Sequence, residues 1–204
     1  MEKLIITVAP TGNVPEKKNT PYLPVRPAEI ADDIYSCYQA GASIAHLHAR
    51  DEKGRPTADP GIFKEIMDKV REKCDIIIQC STGARAGKSA EERGACIDLR
   101  PEMASLSTGS SNFSHSVNYN PPDLIVQLAR RMYENEVKPE IEVFDLSALE
   151  YASYLVSKRI LAAPLHINLV LGVPGSMGGS ARNLFFLIDS LPKGCTWSVT
   201  SVGR

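Results

Sequence analysis

The chain has no C-x-x-C pair, no apolar run of about 20 residues and no surplus of either charge. Its five cysteines, Cys37, Cys74, Cys80, Cys96 and Cys195, are odd in number and widely spread. That pattern excludes a disulfide frame or zinc knuckle and reads as reduced thiols filling small apolar gaps. Lacking a long apolar run, the chain is expected to carry no membrane span. Leu4 to Ala9 is too short for a secretory signal and has no small-residue cleavage pattern, so a cytoplasmic location is expected. With 23 Lys and Arg against 24 Asp and Glu, the formal net charge is -1. This balance excludes an overall basic footprint for nucleic acid and an acidic disordered tail.

What is present is a strict alternation of short apolar runs and amphipathic runs. Leu4 to Ala9 predicts a first strand, ended by Pro10-Thr11-Gly12. Pro27 opens a helix carrying Ile30, Ile34, Cys37 and Tyr38, stopped by Gly41. Further strands are expected at Ser43 to Ala49, Asp75 to Cys80, Met103 to Ser107, Glu140 to Phe144, Leu165 to Val173 and Trp197 to Val202. Helices are expected around Phe63 to Val70, Ser89 to Leu99, Leu124 to Met132, Leu149 to Ile160 and Leu184 to Leu191. Strand then helix, repeated, means parallel strands with right-handed crossovers. The first turn is followed by a long loop with no G-x-G-x-x-G, which argues against a dinucleotide-binding sheet. The reading is therefore α/β, a (β/α)8 TIM barrel cut short after strand seven. A single domain over residues 1–204 is expected, lacking the last helix, strand and helix of the usual about 250 residues.

In such a barrel, function gathers at the C-terminal ends of the strands, and polar residues collect there. His46 and His48 stand at i and i+2, so both imidazoles share one strand face. Two neutral imidazoles at a strand end make half a site for zinc or another divalent cation. The alternative is a hydrogen-bonded polar core, and the strand-end position favours the metal. Ser81-Thr82-Gly83, after strand three, offers hydroxyls and backbone N–H groups to a carboxylate or phosphate, or simply makes a turn. Ser105 and Ser107 repeat the hydroxyl pattern on strand four, where Ser105 is the deeper. Glu140 and Glu142 share a face of strand five. An inward carboxylate needs a metal, an Arg or a proton-transfer role, and Glu142 is the better candidate. His166, early in its strand, and His115, in a Ser/Asn-rich loop, read as structural and surface residues. The Gly172 to Gly179 loop, with Pro174 and Gly175, suits a phosphate or pantetheine-like chain. Arg204 suits a carboxylate or phosphate.

Ordered motifs run through the whole chain. They include Leu4-Ile5-Ile6-Thr7 with Thr11-Gly12, Ala40-Gly41-Ala42 leading to His46-Leu47-His48-Ala49-Arg50, and Gly54-Arg55-Pro56. Ile76 to Gly83, Pro101 to Leu106, Asn112-Phe113, Pro139 to Phe144, Leu171 to Gly175 and Val202-Gly203-Arg204 complete them. In these the chain resembles the β-keto acid cleavage enzyme family. The resemblance implies a (β/α)8 barrel, usually a homotetramer, with a divalent metal, generally zinc. It implies amino-acid catabolism and an exchange in which a β-keto acid and acetyl-CoA, the co-substrate, yield acetoacetate and a new acyl-CoA. It implies His46 and His48 as metal ligands, Ser81 as a substrate-binding serine, Ser105 as the strand-four hydroxyl and Glu142 as the strand-five glutamate. It also implies a third metal ligand, a general-base Asp and an assisting Arg expected beyond residue 204. Members that handle amino-substituted acids carry an acidic residue where this chain has Val14, so a neutral or differently anchored side chain on the substrate is expected. Two other readings stand beside this one. One is a metal-dependent barrel hydrolase, although there the H-x-H pair usually lies on strand one. The other is a catalytically incomplete binding or assembly unit whose open strand edges invite association.

Overall fold

Proline and a well-placed carboxylate set the start of the first helix. In the computed structural model, which describes residues 4–83 and 89–202, α1 spans Pro27–Gln39 with Pro at its first turn. Glu29 Oε2 accepts from the backbone N–H groups of Val25 (2.8 Å) and Arg26 (3.1 Å). Those donors have no partner within the helix, so the carboxylate fills a gap that every helix start leaves. Ile30, Ala31 and Ile34 form the buried stripe, and Gly41, at φ +106°, lets the chain turn out of the helix.

The remaining elements follow the alternation read from the sequence. β1 (Thr7–Val8) and β2 (Ile44–Leu47) flank α1. A hairpin, β3 (Ala49–Arg50) and β4 (Pro56–Thr57), precedes α2 (Pro60–Arg71). α2 is capped by Asp59, whose Oδ1 accepts from Gly61 N–H at 2.8 Å, and it buries Phe63, Ile66, Met67 and Val70. β5 (Ile77–Cys80) leads to α3 (Ala90–Gly94), a 3-10 turn over Ala95–Leu99, and β6 (Met103–Ser107). A second hairpin, β7 (Ser111–Phe113) and β8 (Ser116–Asn118), stands before α4 (Pro122–Glu134). Then come β9 (Lys138–Val143), α5 (Leu146–Ser157), β10 (His166–Leu171), α6 (Ala181–Asp189) and β11 (Thr196–Ser201).

Contacts gather these elements into two compact units. The first runs to Ala104 and adds Asn135–Val137; the second comprises Ser105–Glu134 and the chain from Lys138. In the first unit β1, β2, β5 and the start of β6 pair in parallel. In the second, β9, β10 and β11 do the same. The seven strands follow the order β1-β2-β5-β6-β9-β10-β11, so each new strand joins beside the last one before it. Parallel strands added strictly in sequence, with a helix or helical turn between successive strands, are the TIM-barrel kind of α/β topology. No described helix is long and apolar enough to cross a membrane.

Four local expectations change. The first strand pairs over two residues only, and Leu4, Ile5 and Ile6 stand exposed. The second ends at Leu47, because Ala49 and Arg50 leave the ladder to pair with Thr57 and Pro56. His48 therefore lies one residue past the strand that carries His46. The helix expected over Ser89 to Leu99 tightens to a 3-10 turn after Gly94 and ends on Arg100 at φ +53°. The Ser/Asn-rich stretch is a hairpin, with His115 exposed at its turn.

Replacing Glu29 by Ala is expected to destabilise the protein by about 1 kcal/mol in thermal or urea melts at neutral pH. The two backbone N–H groups hold the Glu29 carboxyl below its ordinary 4.5. Its contribution is thus present above 4.5 and fades as pH falls through the lowered value. The gap between wild type and Glu29→Ala should close in acid.

Candidate metal and substrate site

β2 and β5 are in parallel register with His46 opposite Gln79. A lone polar residue between Ile78 and Cys80 is thereby brought beside the first histidine, and Gln79 is fully buried. His46 Nδ1 is hydrogen-bonded to Gln79 Oε1. His46 Nε2 lies 3.2 Å from His48 Nε2, and the ring centroids are 4.9 Å apart. Although His48 has left the strand, both imidazoles still present the same nitrogen toward one point. Desolvation first, then His46 and Arg50, push His48 well below the ordinary imidazole value. It is neutral at physiological pH, the form that binds metal.

The donor set can be tested by its own spacing. Two imidazoles bound to tetrahedral zinc at about 2.1 Å each hold their nitrogens about 3.4 Å apart. The observed 3.2 Å is close to that separation, so the pair fits a divalent cation. Among the described residues no group of three or more His, Cys, Asp or Glu side chains is placed to hold a metal. The two histidines are then a partial donor set of the kind that leaves positions for water or a chelating substrate.

Arg50 explains why the chain leaves β2. It is buried, with Nε donating to Thr11 Oγ1 (3.0 Å) and its terminal nitrogens donating to the carbonyls of Gly54 (2.7 Å), Pro15 (2.7 Å) and Gly12. One planar guanidinium thus fixes the loop after β1 and the β3–β4 turn, two residues beyond His48. Sequence reading gave Arg50 no role, although a charged residue directly after an apolar strand was a usable signal.

The other candidates are placed as follows. Ser81 is buried at the end of β5, its N–H donating to Leu47 O (2.9 Å) and its Oγ accepting from Gly83 N–H (3.2 Å). Thr82 is buried, and its carbonyl accepts from Arg93 Nε at 2.7 Å. In the second unit, Ser105 and Ser107 are buried on β6, and Ser107 Oγ donates to Glu142 Oε2 at 2.7 Å. Glu142 lies near the end of β9, while the buried Glu140 lies deeper. Glu140 meets His166 Nε2 at 3.4 Å, and His166 Nδ1 pairs with Thr196 Oγ1 at 2.8 Å.

Gly172 and Gly175 follow β10 in a loop closed by Gly172 N–H to Met177 O (3.0 Å). A Cβ on Gly172 would stand 2.2 Å from Val202 O, and one on Gly175 would stand 2.7 Å from Asn112 O. Both have positive φ, +84° and +95°. Backbone geometry alone therefore accounts for both glycines. Pro174 is exposed between them. Arg204 lies outside the described residues. A cleft of about 1320 Å³ in the first unit contains neither histidine, and Arg26, Lys53 and Lys69 are offset there by Glu52, Asp59 and Glu65.

Comparison with known proteins adds an independent observation. The model of the β-keto acid cleavage enzyme family matches residues 3–204. The chain belongs to that family. It is 43% identical over 206 residues to the 3-keto-5-aminohexanoate cleavage enzyme of Fusobacterium nucleatum subsp. nucleatum, covering 100% of this chain and 75% of that protein. It is 38% identical to the 3-oxoadipate:acetyl-CoA acetyltransferase of Cupriavidus necator, covering 98% of this chain and 72% of that protein. Among solved structures it is similar to ObcA with oxaloacetate, at 26% identity and TM-score 0.69 over 75% of this chain. It spans only 38% of the ObcA chain. It also resembles type I 3-dehydroquinate dehydratase from Clostridium difficile, at 12% identity and TM-score 0.61, covering 98% of this chain and 75% of that one. That likeness concerns the fold alone.

Two substitutions test the framework of this β-keto acid cleavage family member. Arg50→Lys keeps the charge but cannot serve four acceptors from one plane. Chemical denaturation should show a loss of about 2–4 kcal/mol. Gly172→Ala places a methyl group against Val202 O in a left-handed backbone. A loss of at least about 1–3 kcal/mol is expected from the same measurement.

Proposed function

We propose that the protein is a metal-dependent acyl-exchange enzyme that takes a β-keto acid and acetyl-CoA and gives acetoacetate and a new acyl-CoA. The observation that carries this reading is the convergence of His46 and His48 Nε2 at 3.2 Å, with His48 kept neutral. The names of the relatives support it, since one transfers from 3-oxoadipate to acetyl-CoA and another cleaves a keto acid.

The chemistry balances without redox change. The β-keto acid loses a proton from the carbon between its two carbonyl groups, and that carbon forms a bond to the acetyl carbonyl as CoA thiolate leaves. CoA thiol then attacks the original keto carbon. The older C–C bond breaks, and the departing carbon takes up a proton as acetoacetate forms. His46 and His48 would hold the cation, zinc or another divalent ion, which when bound supplies Lewis-acid stabilisation of developing negative charge. Ser81, Thr82 and Gly83 offer hydroxyl and backbone groups to the carboxylate. In the second unit Ser105 and Ser107 offer hydroxyls, and Glu142 holds or moves a proton at the Oε2 that Ser107 already bonds. The loop carrying Gly172, Pro174 and Gly175, with Arg204, receives the CoA chain.

Val14 is 65% exposed and cannot pair with an ammonium group, which supports keto acids with neutral side chains as substrates. A cytoplasmic homo-oligomer is proposed from the family resemblance. Light scattering reads that state.

The test is acetoacetate formation from acetyl-CoA and a panel of β-keto acids in the presence of zinc. Neutral acids should turn over faster than amino-substituted ones. His46→Ala and His48→Ala should each cost at least about 100-fold in rate, equivalent to a few kcal/mol of charge stabilisation. Turnover of esters or amides without CoA would overturn the reading in favour of a hydrolase.

A further inference from the structure

Gln79 is buried at a cost the fold does not need. Its Oε1 bonds His46, but its Nε2 has no hydrogen-bond partner among the described residues and no access to water. A buried amide N–H left unmet opposes folding, and an apolar side chain of similar size would avoid the penalty. Ile78, Cys80, Ala45 and Leu47 around it are all buried apolar residues. The strand register that sets Gln79 opposite His46 is equally available to a leucine.

The geometry points to Gln79 as a positioning residue that fixes the tautomer and ring angle of His46 for metal binding. This rests on the reading of His46 and His48 as metal ligands. The amide oxygen has no proton to give, so the shared hydrogen must sit on His46 Nδ1. The Nε2 lone pair then faces His48 Nε2, with which it shares a 3.2 Å hydrogen bond that a cation would replace. With the amide turned over, Nε2 of Gln79 would donate to Nδ1, and the imidazole proton would move to the nitrogen that must bind the cation. Oε1 toward His46 is thus the orientation compatible with ligation. A neutral amide performs this task without adding a buried negative charge beside the strand. It is the outer-shell arrangement that commonly orients a ligating imidazole and raises its basicity. Register explains why it comes from the next strand: Gln79 lies directly across from His46, close enough to reach Nδ1 of the ring.

The experiment compares wild type, Gln79→Leu and Gln79→Glu as the full chain. It reads zinc affinity by competition with a chromophoric chelator, the thermal midpoint of the metal-free protein, and the ¹⁵N shifts of His46. Gln79→Leu should lose roughly 10–100-fold in zinc affinity. Its metal-free midpoint should hold or rise, because the unpaired amide is gone. Its His46 signals should move from Nδ1–H toward a mixture of tautomers. Gln79→Glu keeps an acceptor opposite Nδ1 and should restore affinity to wild type or above. Equal zinc affinity and equal His46 tautomers in wild type and Gln79→Leu would overturn the proposal while leaving the ligands in place. A wild type that holds no zinc would overturn the ligand reading itself, and with it any role of Gln79 toward metal.

Discussion

The site depends on one short relay across two strands, from an amide oxygen to an imidazole and from that imidazole to a second. The parallel register of β2 and β5 places Gln79 opposite His46, and the relay then fixes which nitrogen of His46 carries the proton. The first unit's strand order, its capped helices and its buried apolar faces all serve to keep that register. A slip of one residue would turn His46 away and bring Ala45 or Leu47 to the same position. The chemistry proposed for this family member is therefore bound to a ladder only a few residues long.

A second constraint comes from Arg50. The guanidinium draws carbonyl oxygens from two loops to itself, and β2 stops because the chain must reach it. His48 is carried with that departure. It lies between β2 and the β3–β4 hairpin, whereas His46 is set by the sheet. In the second unit the polar groups are arranged differently. Ser107 and Glu142 pair near the ends of their strands, while Glu140, His166 and Thr196 form a deeper network. Depth along β9 thus separates two carboxylates that are only two residues apart.

Much of this was legible in the residues. Apolar alternation located the seven parallel strands and the six helices of the described residues, most of which bury a face whose period shows in the sequence. The H-x-H pair and the serine-rich strand ends stood out as polar groups where a core strand should be apolar. What escaped was of two kinds. The hairpins at Ala49–Thr57 and Ser111–Asn118 have strands of two or three residues, too short for any periodicity. Gln79 and Arg50 act through partners distant in sequence, Gln79 across a strand register and Arg50 on carbonyls of Gly12 and Pro15 nearly forty residues earlier. A single amide within Ile76 to Cys80 was visible as an exception, but its partner was not.

Because one histidine belongs to the sheet and the other to the step between two ladders, the two imidazoles are aimed by different parts of the backbone. Arg50 ties the hairpin tip at Gly54 to the backbone two residues beyond His48, while His46 is held by the sheet. The loop after β1 shares the same guanidinium, through Thr11, Gly12 and Pro15. One side chain thus anchors both that outer loop and the segment that carries the second imidazole.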